Sequence, residues 1–293
     1  MIKYLIQLHF AVFLAGFTGV FGRLISYDAF TLVLLRFTVA AVAVVAYVYF
    51  TKRLVYFDLK SKLKTMFVGG LLCLHFIFFY LSIKLSNISI GTITIAATCF
   101  FTTAFEPIIL KTRFKPTNLI YGLIIIAGLL LIFNFDTKFR LGIIIGFISA
   151  MFSSLYSIYN KKFTPTLDPY TCINYEMFGG LLVSAICYPI CRMKGAADEF
   201  YFNSHNIFYL FALGSVFTVY LYLLVIKLSS KLSAFTINLT FNLEPVYAII
   251  IAMLFFGEAK EVNLSFYVGV VLVALSVFLQ NRKVNKNENS LSH

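Results

Sequence analysis

Charge is scarce in this chain. Asp, Glu, Lys and Arg make up 12% of its 293 residues, against 60% hydrophobic residues, and the mean hydropathy is +0.90. So little charge over so much apolar surface excludes a protein that folds in water. Lipid is the matching solvent. Ten spanning helices of ~20 residues each would use nearly the whole chain and leave no room for a separate soluble domain. Other things are missing too. There is no Gly-x4-Gly-Lys-Ser/Thr loop, which excludes ATP-driven work by this chain alone. There is no His/Cys cluster at metal spacing and no Gly-x-Ser-x-Gly elbow, so neither metal nor cofactor is expected. Cys73, Cys99, Cys172, Cys187 and Cys191 all fall in apolar segments and suit small buried hydrophobes better than a disulfide framework. Tryptophan is absent while Phe reaches 34. With the many Lys and Asn, this fits an AT-rich bacterial genome and an inner-membrane location.

The apolar stretches lie near residues 3–25, 29–50, 66–85, 88–110, 117–134, 141–160, 170–191, 206–227, 232–256 and 263–281. Each is close to bilayer length at ~1.5 Å per residue. Spanning strands would alternate polar and apolar residues, and a run such as Leu123 to Phe133 does not. The expected class is therefore an all-α integral membrane protein. Lys3 ahead of the first stretch, with no small-residue cleavage site, predicts a retained helix rather than a signal peptide. With the amino terminus inside, inner loops and tails hold 16 Lys and Arg and outer loops hold 7, Arg36 lying within a segment. That bias places both termini in the cytoplasm. The net charge of +12 then reports topology and contact with anionic headgroups rather than nucleic acid. Residues 282–293 are polar and predict a disordered cytoplasmic tail.

The chain repeats itself. A shift of 147 places Lys84, Leu85 and Ser86 on Lys231, Leu232 and Ser233. It also places Ile90 on Ile237, Gly122 on Gly269 and Ala127 on Ala274. Earlier in each half a shift of 140 places Asp28 on Asp168 and Thr31 on Thr171. Residues 3–134 and 141–281 thus read as two copies of one five-helix unit. An odd helix count reverses the second copy in the membrane, giving two inverted repeats suited to alternating access.

With these features in place, the chain resembles the drug/metabolite transporter superfamily, in particular its ten-helix EamA-type members. Leu34-Leu35-Arg36-Phe37 is similar to the family's Arg-Phe pattern. Leu243-Glu244-Pro245, followed by Phe256-Gly257-Glu258, is similar to its Pro…Gly-Glu pattern. The first half departs from it, with Thr98 in place of the proline and Leu110-Lys111 in place of Gly-Glu. The resemblance implies a secondary-active transporter of a small metabolite, amino-acid-like or drug-like; members of the family export and some import, and export is the direction expected here. Small-molecule cargo, membrane lipid and a coupling proton are the partners it implies; a homodimer stays open.

Polar groups inside hydrocarbon need a partner, water or a function. Glu244 lies near the middle of the ninth segment beside Pro245, where freed carbonyls accompany an acid. It is a candidate for cargo binding or proton coupling. Asn238 lies within ~120° of Glu244 around the helix and Asn242 ~200° away, so the three do not all line one cavity. Arg36 could attract a carboxylate or phosphate on the cargo, or form a structural ion pair. Glu176 is its repeat-mate at the mirrored depth. His9 and His75 could titrate near neutral pH or simply pack. Thr94, Thr98 and Thr102 share one face of the fourth segment, as glue between helices or as a polar path. Tyr80 could add an aromatic wall. No residue is assigned to catalysis. The scattered polar singles argue against a membrane-embedded enzyme acting on a lipid or isoprenoid, which would need convergent acids, bases or a metal. A channel or receptor-like scaffold is disfavoured by the doubled inverted unit.

Overall fold

The computed structural model describes residues 2–291 except 115, 136, 230, 233–236, 238, 239 and 242. Among the described residues there are ten apolar helices and no strand. They are α1 (Ile2–Leu24), α2 (Ala29–Thr51), α3 (Leu59–Leu85), α4 (Ile88–Leu110), α5 (Pro116–Phe135), α6 (Arg140–Phe163), α7 (Pro169–Met193), α8 (Ser204–Leu228), α9 (Glu244–Phe256) and α10 (Leu264–Leu291). Seven are long and apolar enough to cross a bilayer outright; the apolar parts of α5, α9 and α10 are shorter. Asn238 and Asn242 lie outside the described residues.

The helix starts show why the chain breaks where it does. Asp28 caps α2, accepting from the Phe30 amide at 2.8 Å and the Thr31 amide at 3.1 Å, while the Thr31 hydroxyl donates to the same carboxylate. Asp168 does the same for α7 through the Thr171 amide and hydroxyl. The Asp/Thr pairs at a shift of 140 are therefore matching N-caps, which satisfy amides a helix start leaves open. α3 begins seven residues earlier than the apolar run suggests, capped by Asp58 through the Ser61 amide. Lys60, Lys62 and Lys64 break the hydropathy there without breaking the helix, because long basic side chains reach past the apolar layer.

Packing between helices follows the repeat. α3 lies on α6, and its mate α8 lies on α1. α2 touches α8, and α7 touches α3. α4 touches α6, and α9 touches α1. Three further contacts join mates directly: α2 with α7, α4 with α9, and α5 with α10. Five helices per copy and this mirrored contact set make the fold two inverted five-helix repeats around a shared centre. The apolar exterior fits a lipid environment: Tyr49, Phe50, Leu254 and Phe255 are each at least three-quarters exposed, whereas Arg36 and Glu176 are inside.

Two close approaches set the centre. Gly69 of α3 sits so near α7 that a Cβ there would overlap the Glu176 carbonyl, and Gly179 meets the Met66 carbonyl in the same way. In the other copy Gly214 of α8 sits against α2, where a Cβ would lie 2.6 Å from Val39 and 3.1 Å from the Arg36 carbonyl. Each central charge therefore stands on a helix whose backbone is held close by a glycine of the opposite repeat.

Both half-helix breaks are also present. α4 tightens to a 3-10 turn over Ile95–Ala97 just before Thr98, and α9 starts at Glu244-Pro245. The discontinuity in the first copy needs no proline. Gly257 ends α9 in the left-handed region at φ 67°, and Lys111 ends α4 there at φ 54°. The left-handed stop thus falls on Lys111 itself.

Candidate functional site

Arg36 of α2 is 1% exposed, yet it forms no salt bridge with any described carboxylate. Its Nε donates to Thr218 Oγ1 at 3.1 Å and its Nη1 to the Tyr80 hydroxyl at 2.8 Å. The guanidinium carbon lies 3.6 Å from the Phe76 ring centroid. Tyr80 passes its own proton to the Thr18 carbonyl at 3.1 Å. Side chains of α2, α3 and α8, and the α1 backbone, thus converge on one cation. Thr218 reaches it because α8 widens to a π turn over Ser215–Tyr220, in which its hydroxyl bonds the Leu213 carbonyl five residues back. Such π turns gather at functional sites.

Glu176 of α7, 2% exposed, is the matching acid. It accepts from Tyr156 at 3.3 Å and from Asn160 Nδ2 at 3.2 Å, both on α6. Tyr156 also hydrogen-bonds Tyr222 of α8. Tyr222 thereby links α8 to the Glu176 cluster. Glu244 is half-buried at the first turn of α9, and its carbonyl lies against Gly16 of α1. Its carboxylate has no hydrogen bond or ion pair with any described residue. The arrangement is a buried cation, a buried acid and a second acid without a partner among the described residues, drawn from both repeats. Neutral partners hold Arg36 and Glu176 in place, and neither has a counter-ion among the described residues. Such a pair of charges can receive a solute that brings the opposite ones.

The other residues singled out in the sequence fall elsewhere. His75 clamps α3 to α6, with the Ser149 hydroxyl 2.9 Å from its Nδ1 and donating to its carbonyl at 2.9 Å. His9 is exposed, its Nδ1 3.2 Å from the Tyr247 hydroxyl of α9. Thr94 bonds its own helix at Gly91, Thr98 reaches the Ala150 carbonyl at 3.4 Å, and Thr102 donates to Ser154 at 3.0 Å. Their shared face thus meets α6 rather than the Arg36 cluster. Thr218, Phe76, Asn160 and Tyr222 went unnoticed in the sequence. Nothing local marks them, since each is chosen by contact across sixteen residues or more or by ring placement.

At the bundle end away from residue 2, polar contacts bind the two repeats together. The Glu258 carboxylate is fully buried and accepts from the Ile88 amide at 2.9 Å and the Ser89 amide at 2.8 Å, capping α4 from the other repeat. Arg23 lies 3.6 Å from Glu258 and 3.5 Å from Glu261, and Asn87 donates to Glu261 at 3.1 Å. Nearby, Ser26 and Asn206 exchange two bonds, at 3.1 and 2.8 Å, and Tyr27 donates to the Tyr201 carbonyl at 2.7 Å. The Gly257-Glu258 signature is therefore a stop for α9 followed by an inter-repeat cap.

The known proteins agree with this architecture. The EamA-like transporter family model matches residues 2–134 and again 140–282, one match per five-helix copy. A relative described as an uncharacterized transporter from Clostridium kluyveri is 23% identical over 218 residues, covering 72% of this chain and 68% of that protein. A crystal structure at 15% identity superposes with a TM-score of 0.61 and covers 94% of this chain and 96% of that one, so the fold is shared.

Proposed function

The chain belongs to the EamA-like transporter family, and from that membership we propose that it exports a small anionic or zwitterionic solute, amino-acid-like in its charges, by proton-coupled alternating access. That it is a membrane transporter and not an enzyme comes with the family; cargo, direction and coupling are the proposal. A drug-like cargo of the same charge pattern would use the same groups. One observation carries the reading: Arg36 is a buried cation whose described partners are all neutral. A guanidinium at this depth costs at least ~2.5 kcal/mol on insertion scales, and a cation kept there without a counter-ion is suited to an incoming carboxylate or phosphate. Glu176 offers the complementary place for an ammonium.

Coupling falls to Glu244, the acid without a described partner. Proline in the first turn of α9 lacks only an amide that a helix start leaves unpaired anyway, so Glu244 stands beside it without unravelling the helix. The repeats are tied at both ends: Lys161 pairs with Glu106 at 2.6 Å and the Val55 amide donates to Thr171 Oγ1 at 3.0 Å on the terminal side, opposite the Glu258 cap.

Proteoliposomes carrying the full chain, loaded with a metabolite mixture, test this. A solute with an anionic group should leave faster than from empty vesicles, and faster still with an inward proton gradient. Glu244→Gln should cut gradient-driven flux about tenfold or more, by the loss of a titrating group worth ~1.4 kcal/mol per decade, while exchange at equal pH persists. Gradient-driven flux that is unchanged in Glu244→Gln would remove the coupling role from this residue.

A further inference from the structure

Between α3 and α7, on the side away from Arg36, lies an apolar cavity of about 310 Å³. Leu63, Phe67, Leu74, Leu182 and Val183 line it, and Gly70 and Gly179 supply no side chain to fill it. Leu63, Phe67 and Leu182 are about half exposed, so the cavity opens sideways as a groove toward lipid. On α3 its wall follows a stripe at spacings of three and four residues, Leu63, Phe67, Leu71 and Leu74, which is one helix face. Leu63 to Leu74 spans roughly 16 Å at 1.5 Å per residue, about half of the ~30 Å hydrocarbon core. The groove is thus one leaflet deep.

The same stripe continues into Lys60 and Lys64 at the groove's mouth. Lys62 lies on the other side of α3, its Nζ 5.0 Å from the Tyr56 ring centroid and 5.8 Å from that of Tyr175 on α7, while Lys64 Nζ lies 5.1 Å from that of Phe163 on α6. None of the three lysines forms an ion pair among the described residues. Aromatic rings hold the Lys62 and Lys64 ammonium groups, and no described carboxylate neutralises them.

We propose that this groove binds an anionic phospholipid, one acyl chain lying along Leu63 to Leu74 and the headgroup phosphate resting on Lys60 and Lys64. A second copy of the chain is the poorer occupant, because two such faces would bring their lysine clusters together. An anionic headgroup is what these charges complement. With both termini cytoplasmic, the site faces the inner leaflet. The lipid would brace the α3–α7 crossing, the same crossing that carries Glu176, and so tie the site's geometry to lipid composition. The proposal rests on the chain's membrane placement and stands whatever the cargo is.

The full-length protein, stripped of lipid in detergent, is returned to phosphatidylcholine nanodiscs with and without phosphatidylglycerol, and melting and retained lipid are measured. Phosphatidylglycerol should raise the melting temperature and stay bound after purification. Lys60→Gln with Lys64→Gln should weaken that retention roughly thirtyfold, the loss of two lysine charges near the surface. Val183→Phe, which fills the groove, should abolish retention with the lysines intact; if that variant does not fold, Leu182→Phe takes its place. Equal retention of the two lipids, or retention unaffected by filling the groove, overturns the site. So does cross-linking that finds a second copy of the chain seated in it.

Discussion

Arg36→Gln should abolish transport while leaving the protein as stable as the wild type or more so. The two effects are expected together because of how Arg36 is held. Its neutral partners fix its direction but do not offset the cost of a charge in the membrane, so removing the charge relieves the fold of a penalty. A hydrogen bond to a charged group is worth ~1.5–3 kcal/mol, which sets the loss in cargo affinity at about 10- to 100-fold, before any loss in the rate of the conformational step. Arg36→Lys keeps the charge but cannot span Thr218 and Tyr80 from one planar group, and most of the loss should persist. Flux and thermal melting measured on one purified sample decide the matter. Melting that falls along with flux would make Arg36 a structural residue. Unchanged flux would remove it from the cargo site.

A second large effect is expected at the α3–α7 crossing. Gly179→Val puts a branched side chain where a Cβ alone already overlaps the Met66 carbonyl. No flexible side chain can yield there, since the obstacle is backbone. The helices must separate, at the upper end of the ~1–3 kcal/mol typical of overpacking or beyond it. The melting temperature should fall by roughly 5–10 °C, and Glu176 should lose its register with Tyr156 and Asn160. Gly69→Val should act alike from the other helix. Wild-type melting in both variants would mean that these backbones are not in contact.

Much of the fold could be read from residue order alone, because the bilayer imposes a length on every apolar run. The repeat was legible where it had a local job: Asp28 and Asp168 recur because each caps the same helix start. The breaks in α4 and α9 were half legible. Pro245 announced the second, but the first is a 3-10 turn that no residue type marks. The site was less legible still. Arg36, Glu176 and Glu244 stood out because charge in hydrocarbon is rare. Phe76 and Tyr222, however, belong to the commonest residue classes of this chain, and only the meeting of α2, α3, α6, α7 and α8 selects them. Glu258 was visible as part of a family signature. Its task, capping a helix of the other repeat, depends on a contact 170 residues away in sequence.

The account turns on the two repeats moving apart at one end while they close at the other. In a background with the five native cysteines replaced, Ser26→Cys and Asn206→Cys place two thiols where the native side chains exchange hydrogen bonds. Cross-linking them should stop flux in proteoliposomes, and reducing the bond should restore it. Full flux through the cross-linked protein would contradict alternating access between the two halves.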